Sequence, residues 1–143
     1  METLISDDPA LLDIAAIHRF LSNETAWARG IPLATLQRAI ANSICFGAYE
    51  DGRQVGFARA VTDRATFAYL CDVYTLPTHR GRGIARKLVE AMHAHPELQL
   101  LRRSVLVSTD ARGLYDKLGW TAVAQPQTYM ERFFPAVYKA SKD

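Results

Sequence analysis

The stretch Arg80-Gly81-Arg82-Gly83-Ile84-Ala85 holds the residue types that bind an anion without a metal. Gly81 and Gly83 remove side chains where the backbone must bend tightly and approach a ligand. Successive N–H groups can then turn inward as a nest at the positive end of a following helix. Arg80, Arg82 and Arg86 can add charge-assisted hydrogen bonds to the same anion, while Lys87 serves equally well as a solvated helix residue. The implied ligand carries a pyrophosphate. Two other nucleotide motifs fail at named positions: no Gly-Lys-Ser/Thr follows, as a Walker loop requires, and Arg86 occupies the third glycine of G-x-G-x-x-G.

Other reactive residue types are sparse. Cys45 and Cys71 stand alone, without a C-x-x-C pair or a histidine at ligand spacing, so neither a disulfide framework nor a metal site is expected. Both read as small buried residues in a reducing compartment. His18 sits among apolar neighbours on a helix face and reads as a histidine with a satisfied hydrogen bond; His93 and His95 read as solvated. The formal charge of +2 is too small to indicate a nucleic-acid partner, and no apolar run approaches the roughly 18 residues of a membrane span. Met1 to Asp13 has no basic start or long apolar run, so a soluble cytoplasmic protein is expected.

The elements that must position the loop follow from periodicity. With 143 residues, 49% of them hydrophobic, the chain fits one compact domain. After a short apolar run at Thr3–Ser6, Leu12, Ile14, Ile17, Phe20 and Leu21 share a helical face, with Pro9 where a helix can begin. Residues 27–32 form a loop, and Pro32 opens a second helix through Leu33, Leu36, Ala39 and Ile40. Strands over Ile44–Glu50 and Gln54–Thr62 flank Asp51-Gly52, a hairpin signal because both residues tolerate positive φ. A fourth strand, Thr66–Leu76, stops at Pro77 and leads into the glycine loop. A helix from Gly83 to His95, a strand at Arg103–Val107 and a helix at Asp110–Leu118, with Ser108 or Thr109 as N-cap, come next. Trp120–Ala124 and Thr128–Phe134 carry the pattern of a last pair of strands, completing a single α+β domain.

The glycine loop satisfies Gln/Arg-x-x-Gly-x-Gly/Ala throughout, and in this it resembles the GNAT N-acetyltransferase superfamily. Leu70–Pro77 is similar to that family's fourth strand, and Gly113-Leu114-Tyr115-Asp116-Lys117-Leu118-Gly119-Trp120 to its later helix signature, in the right order and with a strand between. The likeness covers roughly Phe67 to Trp120. It implies a mixed, mostly antiparallel sheet of about six to seven strands, helices on both faces, and a splay between the fourth and fifth strands. Acetyl-CoA is the implied co-substrate, held by Arg80, Gly81, Arg82, Gly83, Ile84, Ala85 and Arg86. Its pantetheine arm would pair with Val73, Tyr74 and Thr75.

The same resemblance implies direct attack by a neutral amine, with the Val73 N–H polarising the thioester carbonyl and Tyr115 protonating the departing sulfur. The general base is open. Tyr69 stands where the histone-acetylating branch has glutamate, and Asp72 is the nearest carboxylate, although strand alternation puts it opposite Tyr69, Cys71 and Val73 unless a bulge intervenes. A water chain is the other route. Ser108 stands where many relatives place a cofactor-touching asparagine; it either serves that role or caps the helix. Trp27, Arg29, Phe57, Arg59 and Tyr69 are the acceptor-site candidates, and an arginine facing the cleft would favour an acceptor with a carboxylate. The expected activity is acetylation of a primary amine on a small molecule, amino acid or peptide, by a monomer or homodimer. The alternatives are a non-catalytic acyl-CoA-binding module and a protein lysine or N-terminal acetyltransferase.

Overall fold

The structure, a computed structural model, describes residues 2–140. Its elements are β1 (Leu4–Ser6), α1 (Ile14–Glu24), α2 (Leu33–Ala41), β2 (Ile44–Glu50), β3 (Arg53–Thr62), β4 (Phe67–Thr75), α3 (Ile84–Ala94), β5 (Arg103–Leu106), α4 (Arg112–Lys117) and α5 (Val137–Ala140). The strands form one sheet in the order β1-β2-β3-β4-β5, antiparallel except for the parallel pair β4–β5. Residues up to Val107 form one compact unit, and those from Ser108 onward a second.

Local chemistry explains most of the boundaries in the first unit. Asp51 and Gly52 take φ of 52° and 76°, closing the β2–β3 hairpin as their residue types require. Pro9 opens only a single 3-10 turn, and α1 starts later because Asp13 Oδ1 accepts the Ala16 N–H as an N-cap. The β3–β4 turn is closed by Asp63, whose carboxylate takes the Thr66 hydroxyl and the N–H groups of Ala65, Thr66 and Phe67. Those bonds, the Thr66 hydroxyl first, hold the Asp63 carboxyl far below the usual range.

The core lies on both faces of the sheet. On one face α3 buries Ile84, Leu88, Val89 and Met92 against β2 and β3, and Gly56 admits it closely: a Cβ there would stand 3.1 Å from the Tyr74 carbonyl and 3.2 Å from Ile84 and Leu88. On the other face Phe20 of α1 stacks on Tyr74 at 3.9 Å, and Tyr74 packs in turn against Phe57, its partner across the β3–β4 ladder. α1 is tied to the loop before α2 by His18, whose Nε2–H donates to the Ile31 carbonyl at 2.8 Å, as its apolar setting predicts. His95 differs from expectation. It is not solvated: Nδ1 accepts the Glu97 N–H, Nε2 pairs with Asp7 at 3.1 Å, and the ring meets Phe46 edge-on.

The strand number is also lower than expected. Trp120–Ala124 and Thr128–Phe134 form no strand; a 3-10 turn at Pro126–Thr128 interrupts this stretch, and α5 follows it. Strand propensity records how a residue fits a pleated surface, and it forms no ladder where no neighbouring strand supplies N–H and C=O partners. Among the described residues no helix is long and apolar enough to cross a membrane.

Truncating the fully buried Phe57 to alanine removes the packing that joins α1 to the sheet. Phe57→Ala should cost about 3–5 kcal/mol of unfolding free energy, measured by urea denaturation, and a loss below about 1 kcal/mol would contradict this packing.

Candidate active site

The glycine loop follows β4 through a 3-10 turn at Pro77–His79. Gly81 and Gly83 have φ of 78° and 76°, the left-handed region where L side chains are strained, although each has open space around it. Backbone angle rather than crowding therefore demands glycine. Gly83 occupies the N-cap of α3 without any side-chain cap, and the first helical bond runs from the Lys87 N–H to the Gly83 carbonyl. The N–H groups of Ile84, Ala85 and Arg86 consequently have no acceptor within the helix. Three donors at the positive end of an eleven-residue helix make a cradle of the kind that suits an anion.

The arginines are engaged elsewhere. Arg80 Nε donates to the Thr75 carbonyl at 3.3 Å, Arg82 Nη2 to Glu50 Oε1 at 3.1 Å, and Arg86 Nε to Glu90 Oε2 at 3.4 Å. Ile84 is core, Ala85 is half-buried and Arg86 is exposed. Arg80 and Arg82 thus tie the loop to the ends of β4 and β2, and Arg86 pairs along its own helix.

Glu50, the last residue of β2, is a residue beside the loop that sequence reasoning missed. Its side chain is buried, Oε2 accepts the Thr3 hydroxyl at 2.7 Å, and Oε1 meets both Arg82 and His79, the latter at 3.4 Å. The Thr3 hydrogen bond, then the nearby Arg82, lower its pKa despite burial. One carboxylate thereby ties Thr3, just ahead of β1, to the end of β2 and to His79 and Arg82. Only its place beside the Asp51-Gly52 turn was visible in one dimension.

The end of β4 holds a register break. Arg59 pairs with Cys71 and Phe57 with Tyr74, so Asp72 and Val73 together oppose Ala58 alone. Asp72 adopts φ 55°, a left-handed conformation that aspartate tolerates better than most residues. Strand alternation would send it to the face opposite Tyr69 and Cys71. The bulge instead turns its carboxylate to the α1 side, where Oδ1 accepts Trp27 Nε1–H at 2.8 Å and Oδ2 accepts Arg59 Nε–H at 2.9 Å. Arg59 reaches on to Ser43 Oγ at 3.1 Å. Three sequence candidates, Trp27, Arg59 and Asp72, are thus joined by hydrogen bonds.

The ladder to β5 ends at Leu70–Leu106 while β4 continues to Thr75, so Val73, Tyr74 and Thr75 lie beyond the parallel pairing. Thr75 is buried and its hydroxyl has no partner. Tyr69 is half-buried, and burial raises its phenol pKa. Cys45 and Cys71 flank Arg59 in the ladder; burial pushes both thiols up to about 12, which keeps them neutral and unreactive. Arg29 is exposed and donates to the Asn23 carbonyl, outside this network. Beside the end of β4, a cleft of about 380 Å³ is lined by Arg19, Phe20, Asn23, Arg53, Tyr74 and Leu76, among others. Arg19 and Arg53 were not foreseen from the sequence.

In the second unit Tyr115 is buried on α4, its ring edge-on to Trp120 at 6.1 Å. Burial first, and Asp110 second, raise its phenol above the ordinary value. The helix is shorter than expected, with Ala111 at its N-cap. Ser108 Oγ accepts the Ala111 N–H at 3.0 Å, closing the turn before the helix rather than capping its first turn.

Comparison with known proteins places this arrangement. The acetyltransferase (GNAT) domain family model matches residues 41–122. The chain belongs to the GNAT acetyltransferase family. FG08082 of Gibberella zeae, named provisionally as an acetyltransferase, is 39% identical across 80% of this chain and 76% of its own. A crystal structure of a GNAT-family protein from Xanthomonas campestris pv. campestris shares 54% identity and superposes with a TM-score of 0.93 over 96% of this chain and 97% of that one. A Clostridium acetobutylicum protein determined with acetyl-CoA shares the fold at 18% identity, with a TM-score of 0.62 over 92% and 95% of the two chains.

Two measurements test the anchoring carboxylates. Asp72→Ala leaves the mostly buried Arg59 guanidinium without its counter-charge, and should cost about 3–5 kcal/mol of stability in a urea titration. A cost no larger than that of an exposed pair, below about 1 kcal/mol, would remove the anchoring role. Glu50 has a folded pKa below its unfolded value, so its contribution is complete above about pH 4.5 and is lost as the pH falls through the folded value. Melting temperature should therefore drop more steeply with acidification in the wild type than in Glu50→Gln; parallel curves would contradict the shift.

Proposed function

We propose that this protein is an N-acetyltransferase that moves the acetyl group of acetyl-CoA to a primary amine of a small molecule, amino acid or peptide. The observation that carries this reading is the continuity of β4 with the cradle. Val73–Thr75 extends past the β5 ladder and leads, within one loop, to three free N–H groups at the start of α3. A strand segment beside a backbone anion site suits a ligand with an extended amide-bearing arm and a pyrophosphate. The unpartnered Thr75 hydroxyl between the two is consistent with such a ligand.

In this reading Gly81 and Gly83 allow the backbone of residues 80–86 to hold the pyrophosphate, with Arg80, Arg82 and Arg86 adding positive potential. Tyr74 and Thr75 carry the arm. The Val73 N–H, displaced from register by the bulge, donates to the thioester carbonyl oxygen as negative charge develops there. The neutral amine attacks the carbonyl carbon, the C–S bond breaks, and Tyr115 gives its proton to the departing thiolate. A phenol held above its ordinary pKa stays protonated at neutral pH, as a general acid must.

Asp72 has both carboxylate oxygens committed to Trp27 and Arg59, which suits positioning better than proton abstraction. The ammonium proton then leaves through water. Trp27, Arg59 and Tyr69 border the acceptor, with Trp27 offering a 60% exposed indole. Ser108 keeps its role in the turn before α4.

Tyr115→Phe should lower kcat by about 10²–10⁴-fold with acetyl-CoA affinity unchanged, followed by CoA release across amines, amino acids and peptides and by calorimetry with CoA. Equal kcat in the two proteins would remove Tyr115 from the mechanism. CoA binding without turnover on any amine or peptide would favour a non-catalytic acyl-CoA module.

A further inference from the structure

We infer that the cleft beside α1 is the acceptor subsite, and that it holds the carboxylate of an ω-amino acid on Arg19 and Arg53. The inference rests on the acetyl-transfer reading and deepens it. The cleft, of about 380 Å³, has the size of a small-molecule site. It follows one face of α1, from Asp13 at the N-cap to Glu24 in the last turn. Its floor is apolar: Phe20 lies flat against Tyr74, and Leu76 continues the surface. Tyr74 directly follows Val73, so the cleft begins beside the N–H assigned to the thioester carbonyl.

Charge pairing sets this cleft apart. Arg59, Arg64, Arg80, Arg82 and Arg86 each donate to a carboxylate or carbonyl, whereas the guanidinium groups of Arg19 and Arg53 have no partner among the described residues. One unpaired surface arginine is ordinary. Two that line one cleft repel each other, and a carboxylate between them removes the repulsion and meets their forked donors. Burial, then Asp13, raise the Tyr74 phenol pKa and Arg19 opposes them, so both charges act at the ring that floors the cleft. Asp13 and Glu24 line the same cleft, and a dianion such as phosphate would meet them as like charges. A molecule with one carboxylate and one amine leaves the lining balanced. Asp13 Oδ1 is already engaged by the Ala16 N–H, while Glu24 stands three residues before Trp27, at the end of α1 that leads to the Asp72 bulge.

Spacing decides which amine reacts. Gly56 pairs with Thr75; Arg53, the first residue of β3, lies three residues further toward the hairpin, and Val73 two residues back along β4. That length of strand separates the two backbones by roughly 17 Å. The long arginine side chains cover part of the span, and the acceptor must cover the rest. An α-amine sits on the carbon next to its carboxylate and falls short. An amine at the far end of a chain reaches the carbonyl carbon.

The test follows CoA release with a ladder of ω-amino acids lengthening from glycine, each beside its carboxamide, in the wild type, Arg19→Gln/Arg53→Gln and Arg38→Gln. Arg38 is exposed on α2 outside the cleft and controls for loss of surface charge. In the wild type, kcat/KM should rise with chain length and favour each long acid over its carboxamide by about 10–100-fold. The double variant should lose that preference through a raised KM for the acid, with kcat, the carboxamide values and the KM for acetyl-CoA unchanged. Its melting temperature should match the wild type, because both side chains are exposed and unpartnered. Arg38→Gln should retain the full preference. Turnover without a preference for the carboxylate, an equal loss for acid and carboxamide in the double variant, or glycine as the best acceptor would overturn the subsite and leave acetyl transfer standing. Turnover on no acceptor, with acetyl-CoA bound, would overturn acetyl transfer and the subsite with it.

Discussion

The contact on which the site depends is the Asp72 carboxylate held between Arg59 and Trp27. An L-residue in the left-handed region costs roughly 1–2 kcal/mol, and hydrogen bonds involving a charged group contribute about 1.5–3 kcal/mol each. The carboxylate therefore offsets the strain of the conformation that places it. With Asp72 so fixed, β3 and β4 shift register by one residue, Val73 leaves the ladder, and Tyr74 meets Phe57 and Phe20. A buried ion pair is weak evidence for stability in general, because desolvation opposes the Coulomb gain. Its effect here is geometric: it selects one bulge in one place.

A second carboxylate governs the other end of β4. Glu50 gathers Thr3, His79 and Arg82, so the loop is attached to the sheet from the side of β2 as well as through its own strand. The consequence concerns how an anion would be held. Each of the three loop arginines has one nitrogen donating to a carbonyl or carboxylate, while the first N–H groups of α3 have no acceptor within the helix. Backbone donors need no side-chain ordering when a ligand arrives, which lowers the entropic cost of binding. The electrostatic field of the arginines persists at that range whether or not they touch the ligand.

Much of this architecture was legible in one dimension wherever a short-range rule applies. Asp51-Gly52 closes its hairpin, α2 begins after Pro32, β4 ends before Pro77, and Gly81 and Gly83 take the positive φ for which glycine is suited. Cys45 is buried as expected, while Cys71 is half-buried and pairs with Arg59 in the ladder. Other features were hidden for stated reasons. Alternation put Asp72 on the opposite face because period-two reasoning has no means of locating a bulge, which arises from pairing with a second strand. The bond from Arg82 to Glu50 was hidden because the two lie 32 residues apart. Trp120–Ala124 and Thr128–Phe134 read as strands because propensity describes what a segment can do and omits whether a partner is present.

The sequence by itself therefore determined most elements up to β5, the glycine loop and its family resemblance, all of which rest on residues within a few positions of one another. Tertiary structure alone decided which face Asp72 occupies, which carboxylate braces the loop, and which arginines stand in the cleft. Those outcomes depend on contacts between residues distant in the chain. Backbone dihedrals are set by the residue and its neighbours, whereas charge pairing and register are set by whatever the fold brings alongside.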